Sequence, residues 1–423
     1  MTADAMSVWR LRCRQVRDGG MRVILQKLGR LAGRVLWPAV WLAAYPIILA
    51  VRPIVLIRFG SVYTTRIGHF ALDLAYYLAE RELDGGAPRT FDLFYFRGSL
   101  SNRFFASVCR RHIRVWSGIR HAYRVFSILP GTRRHLLTIK AATTYRYRDV
   151  EGILARTKRA VFLSDEEQAQ GWKELKLRWN IPEGAPIVCI QVRSDDYLDM
   201  LLNGTKKQVA YRERNTHKNA DIETFKPAML ELAAQGYYCF RMGAVPGKPL
   251  NSNSPNIIDY ANDGRSEFLD IFLCANCDFV VSTGSGIDAF GDLFRIPVVF
   301  CNQASVELVH GTLPHLTIFK RQRSVETGKV LSFRDIFEKG LGACGDAREY
   351  AAKGVEFEDN TPDEIISAVE EMIAIQKGEQ RYTEEDEIRQ SKFWKLLEGS
   401  PYQGLRQGRI GSRFLRDNER LLD

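Results

Sequence analysis

The chain has 423 residues and a mass of 48.3 kDa, about two to three times a typical domain, so we expect two packed domains. Hydrophobic residues at 45% and charged residues at 26% are ordinary globular values, and 33 Gly with 15 Pro are too few for a disordered or collagen-like chain. The net charge of +10 is uneven: residues 1–58 carry +8, residues 59–160 carry +11, and the rest carries −9.

The positive N-terminal third lies beside the one strongly apolar stretch, which favours a membrane surface as its partner over a nucleic acid. No zinc-finger, helix-turn-helix or RNP pattern indicates nucleic-acid binding. Eight scattered cysteines are typical of a reduced cytosolic protein. The lone pair Cys274 and Cys277 has no second pair to complete a zinc site, so we expect both to pack in the core.

Residues 35–51 form a run of seventeen residues without a charge, with Arg34 before it and Arg52 after it. A spanning helix needs about 20 apolar residues, and this run contains Pro38 and Pro46. We therefore predict that residues 1–52 associate with the membrane as an interfacial or re-entrant anchor. A buried core helix is the alternative.

The next part of the chain predicts α/β structure. A strand-like run over 53–61 leads into a helical pattern, and 91–96 reads as a second strand. Ser164 and Glu167 form a capping box that opens a helix ending near Trp179. We place an N-terminal α/β domain at 53–180.

Beyond that boundary, short apolar strands alternate with helices, which predicts a parallel sheet covered on both faces. The predicted strands are 187–193, 237–243, 256–259, 278–283 and 297–302. Thr361 and Glu364 cap a later helix. We assign 181–378 to a second α/β domain and 379–423 to a helical C-terminal tail.

Two glycine-rich segments suggest phosphate-binding motifs. Residues 243–248 imitate a P-loop, but the spacing is one residue short and Pro249 replaces the Ser/Thr that would hold magnesium. Residues 284–289 fit G-x-G-x-x-A, yet the acidic residue of a dinucleotide site is missing. Free backbone N–H groups and hydroxyls over 282–286, including Gly284, still favour a phosphate at this turn. A purely structural tight turn is the alternative.

A third segment, Q-V-R-S-D-D-Y over 191–197, follows the first strand of the second domain. Its Arg193 leaves the carboxyl end of a parallel strand, where doubly wound folds bind ligands, and a guanidinium can hold a diphosphate through two donors. The segment resembles the H-x-R-R-G-D-Y signature of inverting fucosyltransferases, and residues 282–290 resemble their S-N-S-S-F segment. It departs from that pattern at Gln191, Ser194 and Asp195, which argues against a GDP-fucose donor.

The segments R-I-G-H-F, F-R-M-G, E-F-L-D-I-F-L, S-T-G-S-G-I and P-V-V-F-C-N, in this order, more closely resemble a family of bacterial glycosyltransferases linked to surface polysaccharides. The resemblance covers roughly residues 54–310. It implies a GT-B fold, with two Rossmann-like domains facing a cleft. By this resemblance the domain at 53–180 holds the acceptor and the domain at 181–378 holds most of the nucleotide-sugar donor. By the same resemblance, Arg193 binds the donor diphosphate, and its phosphates are lined by Ser282, Thr283, Ser285 and Gly286.

The fourth segment is Arg66-Ile-Gly68-His69-Phe70, between the first strand and the first helix of the N-terminal domain. Gly68 would let the backbone approach the cleft, beside Arg66 as a donor contact. Inverting transfer needs a base for the acceptor hydroxyl, and His69 has a suitable unperturbed pKa. Asp73, one helical turn further on, is a possible partner or substitute. A structural role for His69 is the alternative.

No D-x-D motif follows an apolar strand, so we expect no metal. Arg241 ends a strand, and donor contact and an internal ion pair are equally open for it. Asp288 lies near the same expected cleft and is a further donor-site candidate, and Asp270 is expected to cap or pair.

These observations predict a metal-independent, inverting glycosyltransferase without a cofactor, transferring a hexosyl or deoxyhexosyl group. Its partners would be a nucleotide-sugar donor, a lipid-linked or surface glycan acceptor and the cytoplasmic face of the membrane, with no nucleic acid. A nucleotide-sugar epimerase or hydrolase of the same fold and a non-catalytic membrane scaffold are the alternatives.

Overall fold

A computed structural model describes residues 33, 36–85, 89–139, 149–194, 206–244, 248–309, 314–404 and 408–423. The chain divides into two compact units. The N-terminal unit consists of Met1–Val62, Ala87–Arg97 and Ile113–Ile139, and the C-terminal unit consists of Tyr63–Gly86, Gly98–His112 and Lys140–Asp423. The predicted domain over 53–180 is thus divided between both units.

The N-terminal unit contains a three-stranded sheet in the order β2-β1-β3, made of Leu56–Tyr63 (β1), Thr90–Arg97 (β2) and Leu136–Leu137 (β3). Strands β1 and β3 are parallel. Two helices, 36–51 (α1) and Ile119–Phe126 (α4), belong to the same unit.

The core of this unit contains residues from both helices and from the sheet. Trp41 of α1 packs its ring edge-on to Phe59 at a centroid distance of 5.4 Å, and Ile48 is buried. Among the described residues, none of the helices combines the length and hydropathy that crossing a bilayer requires. The alternative of a core helix therefore holds for one face of α1.

The C-terminal unit is built on a seven-stranded, fully parallel sheet in the order β12-β9-β8-β7-β4-β5-β6, as the alternating strands and helices predict. Its strands are Ile187–Gln191 (β4), Tyr238–Arg241 (β5), Ile257–Ile258 (β6), Phe279–Ser282 (β7), Val298–Gln303 (β8), Leu316–Phe319 (β9) and Arg409–Ile410 (β12). A separate antiparallel pair joins Arg321–Ser324 (β10) and Val355–Glu358 (β11).

The helices of the C-terminal unit pack around this sheet. They are Ile67–Leu83 (α2), Arg103–His112 (α3), Asp165–Trp179 (α5), Lys206–Asn215 (α6), Lys226–Ala234 (α7), Glu267–Asn276 (α8), Ala289–Phe294 (α9), Phe333–Glu338 (α10), Ala347–Ala352 (α11), Pro362–Gln376 (α12), Glu384–Leu396 (α13) and Ser412–Asp417 (α14). Complete capping boxes at Ser164 and Thr361 open α5 and α12, which confirms both predicted helix starts.

Two helices that precede the predicted boundary belong to the C-terminal unit because of aromatic packing. Phe70 of α2 contacts Phe105 of α3 at 4.7 Å between ring centroids, and Phe105 contacts Phe290 of α9 at 5.1 Å. All three rings are fully buried. Burying them stabilises the association of α2 and α3 with the helices of the parallel sheet.

The segment 379–423 is not a separate tail. Strand β12 forms the edge of the parallel sheet beside β9, and Phe393, Phe414 and Ile410 are buried in the main core. The seven cysteines among the described residues are all free and buried, including Cys274 and Cys277, as expected from packing.

Candidate active site

Strands β4 and β7 of the parallel sheet carry predicted donor residues at their carboxyl ends, and the neighbouring strand β8 adds Asn302, which the sequence analysis did not predict. Arg193 lies two residues beyond β4, and the 282–286 turn begins at the last residue of β7. Asn302 belongs to the end of β8, with a left-handed φ of 55°. Because the strands are parallel, these groups share one edge of the sheet.

The 282–286 turn is held by hydrogen bonds of its own side chains. Asp288 accepts one from Ser282 Oγ at 3.1 Å and one from the Ser285 backbone N–H at 2.7 Å. Thr283 Oγ1 accepts the backbone N–H of Arg193 at 2.9 Å. Ser282, Thr283 and Asp288 thus shape the turn, whereas the buried hydroxyl of Ser285 has no partner among the described residues.

The start of α2 lies directly on this turn. A Cβ added to Gly68 would be 2.8 Å from the backbone oxygen of Gly286, so only glycine permits the contact. The N-terminus of α2 has no side-chain cap, and its first turn contains no acidic residue. The R-I-G-H-F segment therefore lies beside the phosphate-binding candidates of the same unit, where an anion is favoured.

His69, on the first turn of α2, has a buried Nδ1 without a hydrogen-bond partner among the described residues. Its ring packs edge-on to Tyr63 at 5.5 Å. Burial and, to a smaller extent, the positive charge of Arg66 lower the pKa of His69 below its ordinary 6.5. The imidazole is therefore neutral at pH 7 and can accept a proton.

Asp73 is 4% exposed, and its Oδ2 accepts the backbone N–H of Tyr63 at 2.8 Å. This hydrogen bond joins α2 to Tyr63 within the C-terminal unit. The buried position favours a positioning role for Asp73 over direct contact with a substrate.

Two residues at this edge, His217 and Lys218, belong to none of the sequence motifs and were not predicted as site residues. His217 and Lys218 lie in a 3-10 turn, Thr216–Lys218, and the nearby Ala220 N–H donates to the Arg193 carbonyl at 3.0 Å. The pKa of Lys218 is lowered, chiefly by burial and then by the positive charges of Arg193 and, less strongly, Arg66. The neighbouring Cys344 raises this pKa in part. Lys218 therefore lies close enough to both arginines to feel their charge.

His217 is 5% exposed, and neither ring nitrogen has a partner in the part of the chain that the structure describes. Its ring packs on Tyr350 and Phe357 at 5.5 and 6.1 Å. Burial and the adjacent charge of Lys218 lower its pKa to about 3, so the ring is neutral. An unpaired buried imidazole is costly unless a ligand supplies its partner.

The shared feature of this edge is a surplus of hydrogen-bond donors and positive charge. Among the described residues, Arg66, Arg193 and Lys218 have no ion-pair partner, and Arg66 lies over the Tyr211 ring at 5.1 Å. Buried polar atoms without a partner, assigned by geometry, are His69 Nδ1, Arg193 Nε, His217 Nδ1 and Nε2, Ser285 Oγ and Asn302 Nδ2. We call these residues the cationic edge. It can bind an anion with several acceptor oxygens.

A groove of about 440 Å³ is lined in part by Cys344, the residue that lies close enough to Lys218 to affect its pKa. Its lining includes Glu307, Phe337, Cys344 and Glu349, together with Ser400, whose hydroxyl donates to Glu307. Carboxylates and a hydroxyl beside an aromatic ring suit a polyhydroxylated, uncharged group.

Arg241 is held by an internal ion pair. Its Nη1 lies 3.1 Å from Asp259 Oδ1 and donates to the Lys248 carbonyl. Asp270 pairs with Arg265 at 2.7 Å, as expected. The predicted motif residues Asp195, Asp196 and Tyr197, and the centre of the P-loop-like segment at 245–247, lie outside the described residues.

The fold is thus α/β with parallel sheets, and its site has the composition of an anion-binding centre. Neither a protein family nor a curated protein matches the chain. Its shape is similar to that of the glycosyltransferase family 9 protein from Veillonella parvula DSM 2008, with a TM-score of 0.38 at 12% identity over 63% of this chain and 86% of that one.

Two further glycosyltransferases are similar in shape. The ADP-heptose LPS heptosyltransferase II of E. coli gives a TM-score of 0.43 at 10% identity over 76% of this chain and 100% of that one. The iron-containing dodecameric glycosyltransferase TibC of enterotoxigenic E. coli H10407 gives 0.34 at 14% over 62% and 63%. With scores and identities this low, the activity must be argued from the side chains of this chain.

Proposed function

We propose that this protein is an inverting glycosyltransferase of GT-B type that uses a nucleotide-sugar donor without a metal ion. The observation that carries the proposal is the cationic edge, beside the carboxyl ends of the parallel strands. Among the described residues, its three cations have no ion pair and several of its buried donors have no acceptor. A nucleoside diphosphate has the acceptor oxygens and the charge that these groups lack.

In the proposed reaction, the acceptor hydroxyl oxygen bonds to the sugar C1 while the bond from C1 to the phosphate oxygen breaks. The electron pair of that bond leaves with the nucleoside diphosphate, where Arg193, Lys218 and Arg66 stabilise the new negative charge. Neutral His69 accepts the proton of the acceptor hydroxyl. The α2 start, which rests on the 284–287 turn, keeps this base close to the diphosphate site.

We further propose that the groove beside Lys218 receives an uncharged part of the donor, since its carboxylates suit sugar hydroxyls. The transferred group would be a hexosyl or deoxyhexosyl unit. The acceptor would be a lipid-linked or surface glycan, met at the cytoplasmic face of the membrane. The fucosyltransferase resemblance rests on the 191–197 and 282–290 segments and stays a prediction.

A screen of thermal stability with ADP, GDP, UDP and their nucleotide sugars tests this function. We expect at least one diphosphate to raise the melting temperature, because it would bind only the folded protein. Arg193→Lys should weaken that binding, since a point charge cannot replace a planar two-donor contact, and Lys218→Met should weaken it as well. Loss of one charged hydrogen bond corresponds to about 1.5–3 kcal/mol, or roughly 10- to 150-fold in Kd.

Lys226→Met is the matched control, because Lys226 is a lysine of the same unit whose charge is already paired, with Glu223 at 4.0 Å. Its diphosphate affinity should equal that of the wild type. A protein that no diphosphate stabilises would be a scaffold, and one that consumes a nucleotide sugar fully without acceptor would be a hydrolase or epimerase; either result contradicts the transferase.

A further inference from the structure

The N-terminal unit has almost no negative charge. Its described residues, 36–62, 89–97 and 113–139, contain nine arginines and a single acidic residue, Asp92. Asp92 is buried and holds Arg58 through two hydrogen bonds of 2.7 Å. Among the described residues, Arg120, Arg124, Arg133 and Arg134 of these ranges form no ion pair with a carboxylate.

Helix α1 presents two apolar faces. One face, with Trp41, Tyr45 and Ile48, packs into the core of the unit. The opposite face is exposed to solvent: Leu36 is 62%, Val40 51% and Ile47 65% accessible. These three residues follow each other at spacings of four and seven, so they line one stripe of the helix.

Basic residues lie beside this stripe. Helix α4 neighbours α1 at both ends, since Trp37 contacts Trp116 at 5.0 Å and the Tyr45 hydroxyl donates to the Pro130 carbonyl at 2.8 Å. In and after α4, Ile128 is 82% exposed. The exposed arginines of this region are Arg120, Arg124, Arg133 and Arg134.

We propose that these residues form a docking surface for a bilayer rich in anionic phospholipid, with the α1 stripe and Ile128 inserted among the headgroups. Guanidinium groups without carboxylate partners complement anionic headgroups, and exposed aliphatic side chains gain free energy only in an apolar layer. A nucleic acid would complement the charge but would leave the aliphatic stripe in water. The proposed function already locates the protein at a membrane, and the present proposal depends on that location. It adds the class of lipid that the protein binds there.

The inner face of α1 determines how the surface must be tested. Since Trp41 and Tyr45 belong to the core, removing the segment would disrupt the unit itself. Single substitutions on the outward stripe avoid this, because those side chains contact solvent. Ile47→Glu is the apolar test, and Leu177→Glu, at a 74% exposed leucine of α5 in the other unit, is its matched control.

The experiment is flotation of the full-length protein with vesicles of phosphatidylcholine alone or mixed with phosphatidylglycerol. We expect wild type and Leu177→Glu to float with the mixed vesicles, more weakly at high salt, and Ile47→Glu to lose at least tenfold in affinity. Arg120→Ala with Arg124→Ala should lose about thirtyfold, whereas the two lysine replacements should retain binding, because each cation near the surface contributes similarly.

Equal flotation of Ile47→Glu and wild type, or equal binding to both vesicle types, would overturn the proposal. The proposal would also be overturned if the wild type bound duplex DNA tightly and did not bind vesicles, and if Ile47→Glu bound the DNA equally well. Diphosphate stabilisation, measured on the same variants, separates this result from the proposed function, since it reports on the cationic edge and should be unchanged in all of them.

Discussion

The two units of the chain carry opposite net charge and arrange their cations differently. The N-terminal unit holds 17 Lys/Arg and three Asp, whereas the C-terminal unit holds 43 Lys/Arg and 47 Asp/Glu. In the C-terminal unit many cations are paired, as in Lys320 with Asp359 and Arg416 with Asp386, both at 2.6 Å. The cationic edge is a local exception to this pairing.

The same sign of charge therefore has two meanings in this molecule. Exposed arginines of the N-terminal unit are hydrated, so leaving them unpaired costs little, and they act together as a field. Half-buried Lys218 and Arg193 lose hydration without gaining a carboxylate, which destabilises the empty site. Buried cations without carboxylate partners therefore indicate a binding site for a specific anionic ligand. Exposed arginines without such partners indicate a surface that binds anions less specifically.

The substitution His69→Asn is expected to have the largest effect. It tests whether the proposed base belongs to the C-terminal unit. An amide cannot accept the acceptor proton, so turnover should fall by about 10²–10⁴ while diphosphate affinity stays nearly constant. Steady-state transfer and calorimetric titration of the same preparation measure both quantities.

Asp73→Ala is the comparison for His69, because it removes the buried acceptor of the Tyr63 N–H and should chiefly lower stability. If His69→Asn transfers at the wild-type rate and Asp73→Ala does not, Asp73 is the base. If both variants transfer at the wild-type rate, the base is neither His69 nor Asp73. The assignment of the catalytic site to the cationic edge would then lose its support.

A second test concerns the contact that brings α2 to the cationic edge. Gly68→Ala puts a Cβ 2.8 Å from the Gly286 oxygen and 2.9 Å from its Cα, and neither backbone atom can yield easily. We expect a loss of about 1–3 kcal/mol in the free energy of unfolding, together with weaker diphosphate binding.

Gly345→Ala is the control for this substitution, since a Cβ there meets nothing within 4 Å. Chemical denaturation followed by fluorescence compares the two variants. A Gly68→Ala protein as stable as the wild type and with full affinity would show that the close approach of α2 is not needed.

The smallest expected effect is a change in pH dependence. Turnover requires neutral His69, so it should decline as the pH falls through its lowered pKa. Arg66→Ala removes the lesser of the two causes of that lowering, hence the pKa rises and the acid limb of turnover moves to higher pH; Arg66→Lys should leave it in place. A pH profile at saturating donor reads the shift, and an unmoved limb in Arg66→Ala would mean that this base is not His69.

Much of the fold could be predicted because its signals are local. Strands such as β4 and β7 are buried runs of apolar residues, and the capping boxes at Ser164 and Thr361 are readable within four residues. The assignment of α2 to the C-terminal unit could not be predicted, since it depends on ring contacts that run from Phe70 through Phe105 to Phe290, more than two hundred residues away from α2 in sequence. Strand β12 has two residues, too few for a periodic pattern.

The site shows the same limit. Arg193 and the 282–286 turn follow strands directly, so their place on one edge could be predicted from strand order. Lys218 and His217 lie in a short polar turn without a motif. The hydrogen bond from Ala220 to Arg193, which connects the residues after that turn to the end of β4, is a tertiary contact that the sequence pattern does not show. The ion pair of Arg241 depends on Asp259, eighteen residues further along the chain.

Asn302 and Asn360 exchange two hydrogen bonds of 2.6 Å, each backbone N–H donating to the other residue's side-chain oxygen. The amide group of Asn302 is therefore held in one orientation in the absence of any ligand, and its Nδ2 has no partner among the described residues. Ordering a mobile side chain on binding costs about 0.5–1.5 kcal/mol. At Asn302 that entropy is already lost during folding. A phosphate oxygen that accepts a hydrogen bond from Nδ2 would therefore bind without this entropic cost.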